Sequence, residues 1–183
     1  MKIMYVCDKC GKQQKAKHDS TAPRCCGYEM SEKVNFDSVD DILDFAIEKE
    51  VDAQHFYNEW AEKVKNPAIG EMLKELALQE KGHEEHLRRV KSHGELKPSE
   101  KHITDLKIAD YLIEIVPTED MDYQQALTIA MEREQSSVNL YKTLAKLAPY
   151  DTIQNLFLNL VEEEMQHKAR LEDEYDENIL RDN

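Results

Sequence analysis

Six residues of the chain combine metal-ligand chemistry with helical spacing: Glu50, Glu80, His83, Glu134, Glu164 and His167. Glu80 and His83 lie three residues apart, as do Glu164 and His167, so each pair shares a helix face and can reach one ion together. All six interrupt apolar stripes that run at spacings of three and four. The stripes read Val39, Ile42, Leu43, Ala46, Glu50, Ala53, Tyr57; then Ile69, Met72, Leu73, Leu76, Glu80, His83, Leu87; then Leu127, Ala130, Glu134, Ser137, Tyr141, Leu144; then Ile153, Leu156, Phe157, Leu160, Glu164, His167, Leu171. A carboxylate buried without a partner is costly, and four together repel one another. Two divalent cations would balance four carboxylates, and two neutral imidazoles would complete the ligand set. Oxygen donors with two histidines suit iron or manganese better than structural zinc. A lone Glu-x-x-His means little in helices so rich in glutamate. Two such pairs and two lone glutamates in register favour metal over a structural polar layer. His86, Glu84 and Glu85 fall off the stripes and are expected in solvent.

That register is an internal repeat with an offset of 84 residues. Ala46 matches Ala130, Glu50 matches Glu134 and Tyr57 matches Tyr141. Ala61 matches Ala145, Leu76 matches Leu160, Glu80 matches Glu164, His83 matches His167 and Leu87 matches Leu171, without a gap. Two related helical hairpins follow, with a pseudo-twofold axis through the metal pair. A Glu from each of two helices plus Glu-x-x-His from each of the other two is the ligand set of di-iron and di-manganese bundles. Tyr57 and Tyr141 each stand about two turns beyond a lone Glu. Their hydroxyls are placed to hydrogen-bond a ligating carboxylate; the alternative is core packing with the hydroxyl at the bundle rim. Phe56 and Trp60 read as packing.

A second cluster comprises Cys7, Cys10, Cys25 and Cys26, in the runs Cys7-Asp8-Lys9-Cys10-Gly11 and Cys25-Cys26-Gly27. Cys-x-x-Cys-Gly forms a turn whose amides face thiolate sulfur, and a second pair closes a tetrathiolate site. Spacing alone admits iron or zinc equally. No leader or spanning segment is evident, so a cytoplasmic, reducing setting is expected, and there metal is preferred to disulfides.

Long helices must position the bundle ligands. Only five Gly and five Pro occur in 183 residues, and 34% are charged. Ser38 is placed to cap a first helix. Asn66-Pro67 opens a second that runs to about Ser92 and stops near Gly94, with Gly70 and Gly82 inside it. A connection over 94–121 is long enough to cross the bundle and includes a possible short helix around Asp105–Ile115. A third helix is expected over Asp122–Ala148. Asp151 is expected to cap a fourth that continues to about Tyr175, with too little chain after it for a long fifth helix. Residues 31–37 read as a linker, so the domains divide at 1–34 and 35–183. Net charge is −14 and uneven: residues 1–33 hold seven Lys/Arg against four Asp/Glu, the remainder 17 against 34. So acidic a body disfavours nucleic acid and anionic membrane as partners.

The bundle resembles the rubrerythrin branch of the ferritin-like family, over about Ser38–Tyr175. The pattern is Ala46-Ile47-x-x-Glu50 with Phe56-Tyr57, Glu80-x-x-His83, Ala130-Met131-x-x-Glu134 with Leu140-Tyr141, and Glu164-x-x-His167. The cysteine module is similar to desulforedoxin and the N-terminal module of desulfoferrodoxin, through Cys7, Cys10, Gly11, Cys25, Cys26, Gly27 and Met30. The resemblance implies an all-α, ferritin-like four-helix bundle of two antiparallel hairpins with a long crossover, preceded by a small rubredoxin-type module. It implies two non-haem irons bridged by carboxylate and oxo groups, and it favours iron over zinc in the tetrathiolate. The implied activity is reduction of hydrogen peroxide, with electrons from a separate redox protein, in a homodimer or larger homo-oligomer. A ferroxidase or iron-handling protein acting on dioxygen is the alternative, and a non-catalytic electron carrier is the third. Three features depart from the family pattern. The cysteine module leads the chain, Cys25 and Cys26 are adjacent, and no acid lies one turn from Glu134, where Ala130, Met131, Ser137 and Val138 stand.

Overall fold

The Ser38 hydroxyl accepts the Asp41 amide proton at 3.1 Å, so α1 (Val39–Lys63) begins where the sequence places it. The structure is a computed structural model that describes residues 2–7, 9–10, 12–15, 24–29, 31–36, 38–92, 103–106 and 116–180. Asn66 Oδ1 caps α2 (Pro67–Ser92) through the Ala68 amide at 3.0 Å, and Pro67 takes the first position, where its missing N–H goes unneeded. Asp122 and Gln125 form a capping box at the start of α3 (Tyr123–Leu147). The start of α4 (Asp151–Tyr175) corrects the sequence reading. Tyr150 is the N-cap and makes no side-chain cap bond, while Asp151 sits in the first turn, where its charge favours the helix dipole. A π-helical turn, Asp176–Leu180, comes directly after it.

Two apolar cores hold the bundle, and the helices thread them in opposite senses. The first core joins the start of α1 and Leu87 of α2 to the end of α3 and the start of α4. The second joins Tyr57 of α1 and the start of α2 to the start of α3 and Leu171 of α4. The 84-residue repeat exchanges the two: Leu43 and Leu127, Ala46 and Ala130, Phe157 and Leu73, Leu160 and Leu76, Leu87 and Leu171 lie in opposite cores. Since α2 ends beside the first core and α3 starts beside the second, the crossover between them travels the length of the bundle, roughly 39 Å for 26 residues.

Short N-terminal strands and one strand from the connection between α2 and α3 form the sheets. A four-stranded antiparallel sheet has the order β2 (Gln13–Lys15), β1 (Lys2–Val6), β5 (Ser31–Phe36), β6 (Ile103–Leu106), and β3 (Arg24–Cys25) pairs with β4 (Tyr28–Glu29). Two expectations change here. Residues 31–36 are not a linker but a strand in register with β1, Lys2 opposite Asn35 and Val6 opposite Ser31. Asp105 and Leu106, where the short helix was expected to begin, instead end the extended strand Ile103–Leu106, which pairs with β5, Val34 opposite Leu106. The rest of that expected helix, 107–115, and the stop near Gly94 lie outside the described residues. Phe36, 1% exposed, closes β5 against the bundle, its ring 5.4 Å from that of Phe45.

The two glycines inside α2 serve different ends. A Cβ on Gly70 would stand 3.1 Å from the Ala61 carbonyl oxygen of α1, so a larger residue there would push the two helices apart by a few tenths of an ångström; a Cβ on Gly82 would meet nothing within 4 Å. Gly82→Ala should therefore stabilise the protein by about 1 kcal/mol through helix propensity, while Gly70→Ala loses that gain to displacement of α1. Thermal melts of the two variants check this, with Tm rising for the first and not for the second.

Candidate metal centre

Between the two cores lies a layer of buried charge. Glu50, Glu80, His83, Glu134 and Glu164 are each at most 4% exposed, and the His167 side chain is 10% exposed. Each helix reaches this layer midway, where its apolar stripe is interrupted. The six sequence-assigned residues come together here in two groups. Glu50, Glu80, His83 and Glu164 offer donor atoms within 4.8 Å of one another, and so do Glu134, Glu164 and His167. Glu164 belongs to both groups. The His83 and His167 rings stack with centroids 5.2 Å apart.

Hydrogen bonds alone do not satisfy this layer. His83 Nδ1 faces Glu164 Oε1 at 3.1 Å, Glu80 Oε2 at 3.2 Å and Glu50 Oε2 at 3.4 Å. One nitrogen carries at most one proton for three carboxylates. His167 Nδ1 lies 3.6 Å from Glu134 Oε2 and 3.7 Å from Glu164 Oε2, beyond hydrogen-bond reach. Glu50 Oε2, Glu134 Oε2, both Glu164 oxygens and His167 Nδ1 are buried without hydrogen-bond partners among the described residues. Burial and the neighbouring Glu80 charge hold Glu50 well above the ordinary carboxylate range and push Glu164 up to about 8. Burial alone would raise Glu134, but the nearby His167 and the hydrogen bond from Tyr57 outweigh it and take its pKa below the usual value. Burial would lower both histidines; instead the carboxylates around His83 raise it, and Glu134 and Glu164 raise His167 to about 9. Converging carboxylate oxygens, several of them unpartnered, and two inward-facing Nδ1 atoms make a donor set that fits a pair of iron ions.

The tyrosines part company. Tyr57 Oη donates to Glu134 Oε1 at 2.8 Å, across from α1 to α3. Its repeat mate Tyr141 is equally buried, stacks near Phe157, and its hydroxyl has no partner among the described residues. Off the stripes, His86 is half-buried and joins neither group, Glu85 is exposed, and Glu84 accepts from Gln54 and Arg88. Two neighbours escaped the sequence reading. The Arg133 guanidinium lies 3.8 Å over the Phe56 ring, beside the Tyr57–Glu134 bond, so Phe56 supports a cation as well as packing. Glu163 Oε2 reaches His83 Nε2 at 3.1 Å. No sequence signal marks Glu163, since mismatches like that of Glu163 with Gln79 are common along the repeat.

In the cysteine module, the sulfurs of Cys7, Cys10, Cys25 and Cys26 lie within 4.8 Å of one another. Cys10 to Cys25 is 3.7 Å and Cys25 to Cys26 is 3.8 Å. A tetrahedron with metal–sulfur bonds of about 2.3 Å has sulfurs about 3.8 Å apart, so the spacing fits a metal and not disulfides. Cys26 and Gly27 both have positive φ, 53° and 83°, as the two-residue hairpin joining β3 to β4 requires. The Cys10 amide lowers the Cys7 thiol to about 7, while hydrogen bonding with Cys10 and the other thiols pushes Cys26 up to about 12. Cys7 is buried and Cys10 and Cys26 are exposed, so one edge of the cluster faces solvent.

No helix among the described residues is long and apolar enough to cross a membrane. No functionally curated protein matches the chain. Among solved structures, a hypothetical protein from Pyrococcus furiosus is 27% identical, with a TM-score of 0.50, over 74% of this chain and 86% of that one. A ferritin-like diiron-carboxylate protein from Thermotoga maritima is 24% identical, with a TM-score of 0.57, over 77% and 95%, and shares the fold. The rubrerythrin family model matches residues 41–175, which takes in all four helices and all six inward-facing ligand candidates. The chain belongs to the rubrerythrin family.

Proposed function

We propose that the chain reduces hydrogen peroxide to water at a di-iron centre held by Glu50, Glu80, His83, Glu134, Glu164 and His167. The observation that carries this reading is Glu164, a carboxylate shared by both donor groups. A carboxylate shared by both groups would hold two ions, and cleaving one O–O bond to two waters consumes two electrons and two protons. Two ferrous ions supply both electrons in one place when bound. The protein's part is to hold the pair, exclude water with an apolar core on either side, and fix Glu134 through Tyr57 Oη. The four cysteines would hold a third iron, which would supply single-electron transfer from a separate redox protein, and their solvent-facing edge supports that role. Zinc there would leave a structural knuckle. The basic N-terminal region and acidic bundle suit docking within one chain or between copies, and a homodimer or larger homo-oligomer, acting in the cytoplasm, belongs to this reading.

A second reading, oxidation and handling of iron with dioxygen, is supported by the absence of an acid one turn from Glu134, at Ala130, Met131, Ser137 and Val138. Anaerobic loading followed by peroxide additions with a reductant separates the two. The first reading expects three irons per chain, thiolate-to-iron absorption and repeated turnover. It also expects His83→Ala to lose activity and one iron while His86→Ala behaves as the parent. Iron accumulating as a mineral core without peroxide turnover would overturn it in favour of the second.

A further inference from the structure

The repeat preserves all six ligand candidates, and among the positions where it differs is the residue before each Glu-x-x-His. One half has Gln79 there and the other has Glu163. Glu163 is 45% exposed at its side chain, and its Oε2 lies 3.1 Å from His83 Nε2. The opposite edge of that ring presents Nδ1 to three carboxylates. His83 is thus held at both ends. With an ion bound, a proton on Nε2 would face Glu163 and leave the Nδ1 lone pair for the ion. His167 is held differently. Its polar contacts among the described residues are both at Nδ1 and both longer, 3.6 and 3.7 Å. Gln79, at the position matching Glu163, has a buried Oε1 without a hydrogen-bond partner among the described residues. An amide oxygen there is at most a neutral acceptor.

We propose that Glu163 is a positioning residue that makes the two ion positions unequal: the position served by His83 binds first and more tightly, and the one served by His167 is the exchangeable one. An imidazole that donates to a carboxylate is a stronger ligand and is fixed in orientation, whereas one with no such carboxylate at its outer edge gains less. The inequality comes from one carboxylate against one amide and needs no difference among the six ligands. It rests on the two-ion reading of the bundle proposed for its function.

The test is anaerobic titration of the full-length protein with cobalt(II), a redox-inert stand-in for ferrous iron. Cobalt in the cysteine cluster absorbs through sulfur-to-metal bands and is counted separately from cobalt in the bundle. The parent should show two separable bundle steps. Glu163→Gln should weaken the first by about 10- to 100-fold, the usual effect of removing an outer partner, and leave the second in place. The exchanged variant Q79E/E163Q should invert the order, so that adding His83→Ala removes the weaker step instead of the tighter one. Glu163 is half-exposed, so these variants should keep the parent's helical circular dichroism. Two ions bound with affinities that Glu163→Gln leaves unchanged, or weakens equally, would overturn the inference while sparing the two-ion reading. A parent bundle that takes up only one ion would overturn the two-ion reading itself.

Discussion

Glu164→Gln should cut the bundle's iron from two ions to one or none, and peroxide turnover should fall by more than the roughly 100-fold typical of outer-partner losses. Glu164 is the only residue in both donor groups, is 0% exposed, and has both oxygens unpartnered among the described residues. Neutralising it removes one donor from each ion and the one bridge between them. His83→Ala or His167→Ala removes a donor from one ion only and should leave the other bound. The substitution should act in the opposite direction on the metal-free protein. With one fewer buried carboxylate, metal-free Glu164→Gln should melt higher than the parent at alkaline pH. Iron per chain after anaerobic loading decides the matter: two irons retained by Glu164→Gln would show that the carboxylate does not bridge.

The metal-free protein should lose stability steadily as pH rises from about 5 to 9, and the iron-loaded protein should not. Folded Glu164 keeps its proton up to about 8, against 4.5 for an ordinary carboxyl, and His167 keeps its proton to about 9, against 6.5. Glu50 and His83 are shifted in the same direction. Over that window the folded state binds more protons than the unfolded one. The stabilisation is complete below the unfolded values and is lost as pH passes through the folded ones, by about 1.4 kcal/mol per pH unit for each extra proton held. Glu134 is shifted the other way, so its contribution is lost only at acid pH, below the window. Bound iron takes the place of these protons, so the loaded curve should stay flat and metal affinity should rise with pH. Melting temperatures at five pH values, with and without chelator, measure both. A rising metal-free curve would mean that the carboxylates are neutralised in some other way.

How legible the molecule was depended on the range of each interaction. Ser38, Asn66 and Asp122 announce helix starts because a cap is completed within three residues. The six ligands stand out because a charge on an apolar stripe contradicts its neighbours. Tyr150 was missed as a cap because its backbone alone adopts the capping conformation, with no side-chain bond to signal it. Strands β5 and β6 were missed because their partners are remote. Ser31–Phe36 pairs with the start of the chain, and Ile103–Leu106 pairs with β5 from across two helices. Nothing local marks either as extended. The difference between Tyr57 and Tyr141 is likewise not in their spacing, which is identical, but in which hydroxyl meets a carboxylate.

The charged layer between the two cores has a consequence for how the hairpins find each other. The cores are so alike that hydrocarbon alone would accept several alignments of one hairpin on the other. Sliding a hairpin by one turn, about 5.4 Å, would press Glu50 and Glu80 or Glu134 and Glu164 against leucine and isoleucine. Such a misregistered packing strands carboxylates in hydrocarbon and is strongly disfavoured. The residues that would gather iron therefore also act as a ruler against slippage, excluding wrong alignments that leucine-rich surfaces could not tell from the right one.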